Sequence, residues 1–167
     1  SRFDKSHKDR IVDIKLVQNN QKFIIASKDN TISLWNVNYT LLGAKYCLDS
    51  IYCSKVYVDN FKGITSIGIP YEDCDLIVIC TSSGNLILFD LQKRIFLADI
   101  QAHKYEIPEC ILLCENNIDE KSFVIITSSL YETGLKFWGC FLRKGGNFDG
   151  PIELASFSEM SISGSEL

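Results

Sequence analysis

The chain has 167 residues, 46% of them apolar, and a formal net charge of −4. This apolar content is enough to bury the core of one domain, which argues against a disordered chain. The 17 basic and 21 acidic residues are scattered, without a block of one sign, and this argues against a nucleic-acid-binding surface.

Seven cysteines lie mostly within apolar, strand-like runs. Their number is odd, and the most closely spaced pair, Cys110 and Cys114, lacks the spacing of a typical zinc-binding pair. We therefore predict buried, reduced thiols and no metal site. Every apolar run is far shorter than the roughly 20 residues of a membrane-spanning helix, and no signal-peptide pattern is present. These features predict a cytosolic or nuclear protein.

The first predicted elements lie between residues 10 and 37. Residues 10–16, RIVDIKL, alternate apolar and polar side chains, which predicts a strand followed by a polar turn. Residues 22–37, KFIIASKDNTISLWNV, consist of two β-branched and aromatic runs joined by the polar pair Asp29-Asn30. This pattern is typical of a β-hairpin.

The same order of strands and turns returns twice further along the chain. Residues 63–91 repeat it with a Ser-Gly-Asn turn, and a looser copy runs from Cys110 to Trp138. No long segment has apolar residues at helical spacing. The sequence therefore predicts an antiparallel all-β fold built from a repeat.

Residues 27–36, SKDNTISLWN, resemble the motif of the WD-repeat family, which reads roughly Ser-x-Asp-x-Thr-Ile-x-Leu-Trp-Asp. The matching residues are Ser27, Asp29, Thr31, Ile32, Leu34 and Trp35, and Asn36 replaces the final aspartate. The resemblance implies a β-propeller, in which each repeat forms one four-stranded antiparallel blade. The expected fold is a partial propeller of about three blades.

The resemblance also implies a structural hydrogen-bond network in each complete repeat. A loop histidine, a turn aspartate, a strand serine and a tryptophan indole join the hairpin to the neighbouring loop. In the first unit the candidates are His7, Asp29, Ser27 and Trp35, and in the third they are His103 and Trp138. The second unit has no histidine, so the complete network cannot form there.

We expect the propeller region to span 7–142, with units at about 7–47, 60–101 and 102–142. Residues 48–62 are interpreted as an insertion between the first two blades.

Residues 1–6 are expected to be a cloning scar or a disordered start, and 143–167 a linker or disordered tail that includes one incomplete strand at 152–157. Because propellers usually have four to eight blades, the remaining blades are expected from the rest of the chain or from another chain.

The sequence has no paired acid and base and no recognisable nucleophile that would indicate an enzyme. We therefore expect no catalytic residues and no cofactor. The resemblance implies an interaction scaffold that binds proteins or peptides within a larger complex. Partner contacts are predicted in the loops 48–62 and 128–134. The candidate contact residues are tyrosines, whose rings combine an apolar body with a polar tip: Tyr52, Tyr57, Tyr105 and Tyr131.

An alternative reading concerns residues 141–145, FLRKG. They faintly resemble the aromatic-Arg-Arg-Gly motif of propellers that bind membrane phosphoinositides, with Arg143 and Lys144 as the basic pair. Membrane binding is expected under this alternative alone.

Overall fold

The computed structural model describes residues 7–17, 22–42, 45–57, 63–71, 75–116, 121–143 and 148–157, and gives the backbone alone at 36–42, 45–57, 116 and 157. The described residues form twelve β-strands and no helix. The strands make three four-stranded sheets, and within each sheet consecutive strands are antiparallel neighbours. The protein is all-β, and each sheet forms one blade.

The three blades follow one another along the chain. Blade 1 contains β1 (Ile11–Val17), β2 (Lys22–Ser27), β3 (Thr31–Leu42) and β4 (Lys45–Tyr57). Blade 2 contains β5 (Ile64–Gly68), β6 (Leu76–Thr81), β7 (Asn85–Asp90) and β8 (Ile95–Gln101). Blade 3 contains β9 (Cys110–Asn116), β10 (Lys121–Thr127), β11 (Leu135–Leu142) and β12 (Phe148–Phe157).

Blade 2 is covered on both faces. Successive side chains of a strand point to opposite faces, so Ile77 and Ile79 of β6 pack toward blade 1 while Val78 and Cys80 pack toward blade 3. All four are fully buried. This double burial explains why β6 reads as a continuous apolar run rather than as an alternating strand.

The neighbouring blades supply the other halves of two apolar cores. Blade 1 contributes Ile24 and Ile32 to the first core, and blade 3 contributes Phe123 and Ile125 to the second. Each of these side chains is almost completely buried. Full burial of one such side chain contributes about 1.5–3 kcal/mol, so the cores between blades hold the three sheets together.

The first strands of the blades lie side by side. β5 contacts both β1 and β9, and the amide of Ile67 in β5 donates a 3.1 Å hydrogen bond to the carboxylate of Asp13 in β1. On the other side, the Thr65 hydroxyl donates to the carbonyl oxygen of Ile107 at 2.5 Å. The blades therefore share an inner edge, as in a propeller.

Two tight turns require unusual backbone conformations. Asn30 has a φ of 63° in the turn between β2 and β3, a left-handed conformation that asparagine tolerates better than most residues. Gly84 has a φ of 82° between β6 and β7, and a Cβ atom there would lie 2.2 Å from the carbonyl oxygen of His103. Glycine is therefore required for the close approach of the two loops.

Two segments differ from the sequence-based expectation. Residues 48–57 of the predicted insertion belong to β4, which pairs with β3 from Thr31↔Tyr57 to Leu42↔Lys45. Residues 148–157 of the predicted tail form β12, which pairs with β11. Both are outer strands with a pairing partner on one side, so their sequences carry a weak apolar pattern. The expectations for 1–6, 58–62, 144–147 and 158–167 lie outside the described residues.

Candidate functional site

A hydrogen-bond network joins the loop before β1 to the hairpin of blade 1. The Trp35 indole Nε1 donates to the Ser33 Oγ at 2.8 Å, and the same oxygen lies 2.6 Å from His7 Nε2. The other ring nitrogen, Nδ1, is 2.8 Å from the Thr31 hydroxyl. Because the Thr31 hydroxyl donates its hydrogen to the Asp29 carboxylate, its oxygen accepts from His7, which places a ring proton on Nδ1.

Asp29 stands at the other end of this network. Its carboxylate accepts hydrogen bonds from the amides of Lys8 at 2.6 Å and Thr31 at 3.0 Å, and it lies 3.5 Å from His7 Nδ1. Burial raises the pKa of Asp29, but hydrogen bonds from Thr31, Lys8 and Ser27 outweigh burial and lower that pKa to about 2. The turn is therefore stabilised by an ionised carboxylate.

Ser27 does not occupy the predicted position in the network. Its hydroxyl donates to the carbonyl oxygens of Asp9 and Arg10 at 3.0 and 3.1 Å, so it ties the end of β2 to the segment before β1. Ser33 links histidine to tryptophan because it lies two residues from Trp35 on the same strand and therefore on the same face. The structure thus joins His7 to Trp35 through Ser33 and His7 to Asp29 through Thr31. Ser27 contacts the network at its end, where its hydroxyl accepts from the Asp29 amide at 3.2 Å.

Blade 3 carries the second network. The Trp138 indole donates to the Thr127 hydroxyl at 2.9 Å, and this oxygen is 2.8 Å from His103 Nε2. His103 Nδ1 lies 2.7 Å from the Glu132 carboxylate, which also accepts from the Lys104 amide at 3.0 Å. The hydrogen bonds therefore run in one direction. Trp138 donates to Thr127, Thr127 donates to His103, and His103 donates to the Glu132 carboxylate.

Thr127 and Glu132 were absent from the sequence-based prediction. Threonine replaces the family's strand serine, and glutamate replaces its turn aspartate in a longer loop, so neither matches the motif by residue type or spacing. The hydrogen bond from His103 lowers the pKa of Glu132, burial opposes this effect weakly, and the Lys104 amide lowers it further. The sequence did offer one indication of this role, because Glu132 is the acidic residue of the loop between β10 and β11.

An exposed aromatic cluster adjoins this second network. We define the aromatic cluster as Lys104, Tyr105, Leu130 and Tyr131. The two tyrosine rings meet edge to face, with centroids 5.8 Å apart, and Tyr131 is 89% exposed. The Lys104 ammonium lies 5.3 Å from the centre of the Tyr105 ring. Two of the four predicted partner-contact tyrosines are therefore placed together on the surface.

The loops that carry the aromatic cluster are fixed on both sides. Leu130 donates its amide to the carbonyl oxygen of Glu106 at 2.9 Å, and Lys104 donates its amide to Glu132. Tyr131 has a φ of 67°, a conformation that costs about 1–3 kcal/mol for a non-glycine residue and persists only where its surroundings impose it. The backbone of both loops that carry the cluster is therefore held by hydrogen bonds.

A cleft of about 280 Å³ opens between blades 1 and 2. Arg10 and Lys28 line it on the blade 1 side, and Glu106 and Pro108 line it on the side of the loop that leads to blade 3. Glu106 also accepts the hydrogen bond from Leu130. The cleft and the aromatic cluster therefore share one loop and can contact the same partner.

The other predicted contact residues do not join this surface in the described structure. The side chains of Tyr52 and Tyr57 lie outside the described residues, while their backbone lies in β4. The Arg143 guanidinium forms an exposed ion pair with Asp149 at 2.8 Å, and Lys144 lies outside the described residues.

Among the described residues, no group of three or more His, Cys, Asp and Glu side chains is placed to hold a metal ion. That part of the chain likewise contains no helix with the length and apolarity to cross a bilayer.

The comparison with solved structures identifies the architecture. The chain is similar to the WD40 β-propeller domain of Doa1, with a TM-score of 0.56 and 19% sequence identity over 90% of this chain. The match covers 44% of the Doa1 chain, so this chain spans less than half the length of that structure. The likeness shows the fold, a partial WD40-like propeller of three blades. No family model and no curated protein matches the sequence.

Proposed function

We propose that the chain is a non-catalytic interaction scaffold that binds a protein or peptide partner through the aromatic cluster. The observation that carries this proposal is the pairing of Tyr105 with Tyr131, exposed to solvent yet held by hydrogen-bonded loops. WD40-like propellers generally serve as scaffolds for protein interactions, which supports this class of function over catalysis.

Ordering the side chains of a binding surface costs free energy when a partner binds. Immobilising a side chain at an interface costs about 0.5–1.5 kcal/mol, and loops whose backbone is already held by hydrogen bonds add little further ordering cost when the partner binds. Tyrosine also offers a large apolar area with a polar tip, and it is enriched among the residues that dominate binding energy. The cluster therefore suits a partner with an apolar side chain beside hydrogen-bonding groups.

The network around His103 supports the surface from below. It fixes the loop that carries Lys104 and Tyr105 against the loop that carries Tyr131. In this proposal the network has a structural role, because Trp138 and His103 are buried and donate or accept hydrogen bonds within the protein. The exposed tyrosines make the contacts.

The proposal includes membership of a larger assembly in the cytosol or nucleus. A three-bladed unit supplies part of a binding face, so the partner or the remainder of the propeller completes the surface around the cleft.

Affinity capture with matched variants tests this proposal. The double substitution Tyr105→Ser and Tyr131→Ser removes both rings, while Ile95→Ser removes an exposed apolar side chain from β8, outside the aromatic cluster. We expect a stoichiometric protein partner to bind the wild type and the Ile95 variant, and to be lost from the double variant. Equal capture by all three proteins would place the binding site elsewhere, and failure of the wild type to capture any protein would contradict the scaffold function.

A further inference from the structure

Two cysteines of different blades lie together where blade 2 packs on blade 3. Cys80 is a fully buried residue of β6, and Cys110 is a half-buried residue of β9 that packs on the same apolar core. Both are free thiols. We call these two residues the interblade cysteine pair.

Strand β5 lies beside both cysteines and shows that they share one face of blade 2. Ser66 of β5 is the pairing partner of Cys80, so their side chains lie on the same face. Gly68 is two residues further along β5 and therefore also belongs to that face. A Cβ atom at Gly68 would lie 3.4 Å from the Cys110 sulfur. Cys110 of blade 3 thus packs on the face that Cys80 occupies, next to a position without a side chain.

A cavity of about 230 Å³ gives access to Cys110. It is lined by residues of β1, β5 and β9, among them Lys15 and Ser66. Cys80 is fully buried, whereas Cys110 is one of the residues that line the cavity. A water-soluble reagent therefore meets Cys110 first, and Cys80 reacts through Cys110.

The surroundings of the pair favour the thiolate of Cys110, which is the nucleophilic form of a cysteine. A hydrogen bond from the Cys80 thiol lowers the pKa of Cys110, and burial opposes this effect. The Lys15 ammonium lowers the pKa of Cys110 further, against the carboxylates of Asp13 and Glu109. The hydrogen bond to Cys110 and burial raise the pKa of Cys80 well above its ordinary value. Cys110 is therefore the attacking group, and Cys80 is its protonated neighbour.

We propose that the interblade cysteine pair is a reversible thiol–disulfide exchange site, at which a small disulfide of the glutathione class oxidises Cys110 and Cys80 to one disulfide bond. A disulfide that forms in the cytosol is usually transient, with a catalytic or redox-sensing role. Both residues belong to blades that this chain contains, so the site does not depend on blades from elsewhere. It is also separate from partner binding at the aromatic cluster.

The oxidation takes two exchange steps. The Cys110 thiolate attacks one sulfur of the small disulfide, so that a mixed disulfide forms and the other half leaves as a thiolate. Cys80 passes its proton to this released thiolate and attacks the Cys110 sulfur, which expels the second half. The two cysteines together lose two electrons, and the small disulfide leaves as one thiol and one thiolate.

Ser66 supports the second of these steps. Its buried hydroxyl has no hydrogen-bond partner among the nitrogen and oxygen atoms of the described residues, and it stands opposite Cys80 in the sheet. This hydroxyl lowers the pKa of Cys80 against the larger effects of Cys110 and burial. Ser66 therefore favours the ionised form in which Cys80 attacks.

The new bond would join β6 of blade 2 to β9 of blade 3 across their shared core. It closes a loop of about 30 residues, and a closed loop stabilises the folded state by restricting the unfolded chain. Oxidation is therefore expected to raise the resistance of these two blades to unfolding.

Treatment of the 167-residue protein with oxidised glutathione tests this site, followed by acid quenching and peptide mapping by mass spectrometry without reductant. We expect a disulfide between Cys80 and Cys110 in the wild type, and its removal by reduced glutathione. Cys80→Ala keeps an apolar side chain in the core but lacks the second thiol, so it should retain a stable glutathione adduct on Cys110. The urea midpoint of unfolding should rise on oxidation of the wild type but not of this variant.

The matched control is Cys140→Ala, which removes another buried thiol of the same core and should form the disulfide as the wild type does. A wild type in which Cys110 stays unmodified, or carries a glutathione adduct beside a reduced Cys80, would overturn the proposal. These outcomes are read from the wild type alone, so they do not depend on how well a variant folds. Loss of partner capture at the aromatic cluster would leave them unchanged.

Discussion

His103 and Glu132 are joined by a 2.7 Å hydrogen bond that ties the loop before β9 to the loop between β10 and β11. His103 is buried, and its second ring nitrogen continues through the Thr127 hydroxyl to the Trp138 indole. One acidic side chain therefore anchors both a buried network and the exposed aromatic cluster.

Glu132→Ala should lower the free energy of unfolding by about 1–3 kcal/mol, because the His103 ring and the Lys104 amide lose their acceptor. Glu132→Gln keeps one carbonyl oxygen and should lose less. Urea unfolding monitored by circular dichroism measures both changes. Unchanged stability of the alanine variant would show that the contact contributes nothing to folding.

Gly84→Ala should destabilise the protein by more than about 1 kcal/mol, since alanine is strained at the φ of 82° found there. The added methyl group would also approach the carbonyl oxygens of His103 and Tyr105 at 2.2 and 2.6 Å. We therefore expect this variant to bind the partner more weakly as well. The matched control is Gly63→Ala, where φ is also positive at 78° but the added methyl group would meet the Ser82 side chain at 3.0 Å and no backbone atom; comparable losses in both variants would contradict the explanation based on close approach.

Acid should unfold the first hairpin through Asp29. Its folded-state pKa of about 2 lies below the ordinary value of 3.8, so the ionised carboxylate contributes stability at and above pH 4. That contribution is lost as the pH falls from about 4 to about 2. Denaturation midpoints measured across this range should fall more steeply for the wild type than for Asp29→Asn, and parallel profiles would contradict the assignment.

The two tryptophans should differ in their contribution to stability. Trp138 is 6% exposed within the core between blades 2 and 3, so Trp138→Ala should cost about 3–5 kcal/mol. Trp35 is half-buried on the side of blade 1 that faces away from blade 2, and Trp35→Ala should cost less. Chemical denaturation of the two variants compares these losses; a larger loss at Trp35 would be inconsistent with its half-buried position.

Sequence alone could predict those parts of the fold in which local chemistry is distinctive. The hairpin of β2 and β3 was predictable because a polar Asp29-Asn30 turn separates two apolar runs. The outer strands β4 and β12 were assigned to an insertion and a tail, because strands at the outer edge need fewer apolar side chains. Their assignment depends on pairing with β3 and β11, which is tertiary information.

The residues of the candidate site could likewise be predicted from the sequence only in part. His7 and His103 were predictable because histidine is rare in this chain and each one precedes a hairpin that contains tryptophan. The oxygen that links histidine to tryptophan was harder to predict, since it depends on which face of the sheet a side chain occupies. Ser33 thus replaces the expected Ser27 in blade 1, and Thr127 fills the position in blade 3.

Hydrogen exchange of the protein with and without its captured partner tests the scaffold function most directly. Our account predicts that partner binding slows amide exchange at residues 104–106 and 129–132, the two loops that hold the aromatic cluster. The amides of β8, outside that cluster, should exchange at the same rate in both states. Slowed exchange confined to β8 or to blade 1, with these two loops unchanged, would contradict the assignment of the aromatic cluster as the partner-binding site.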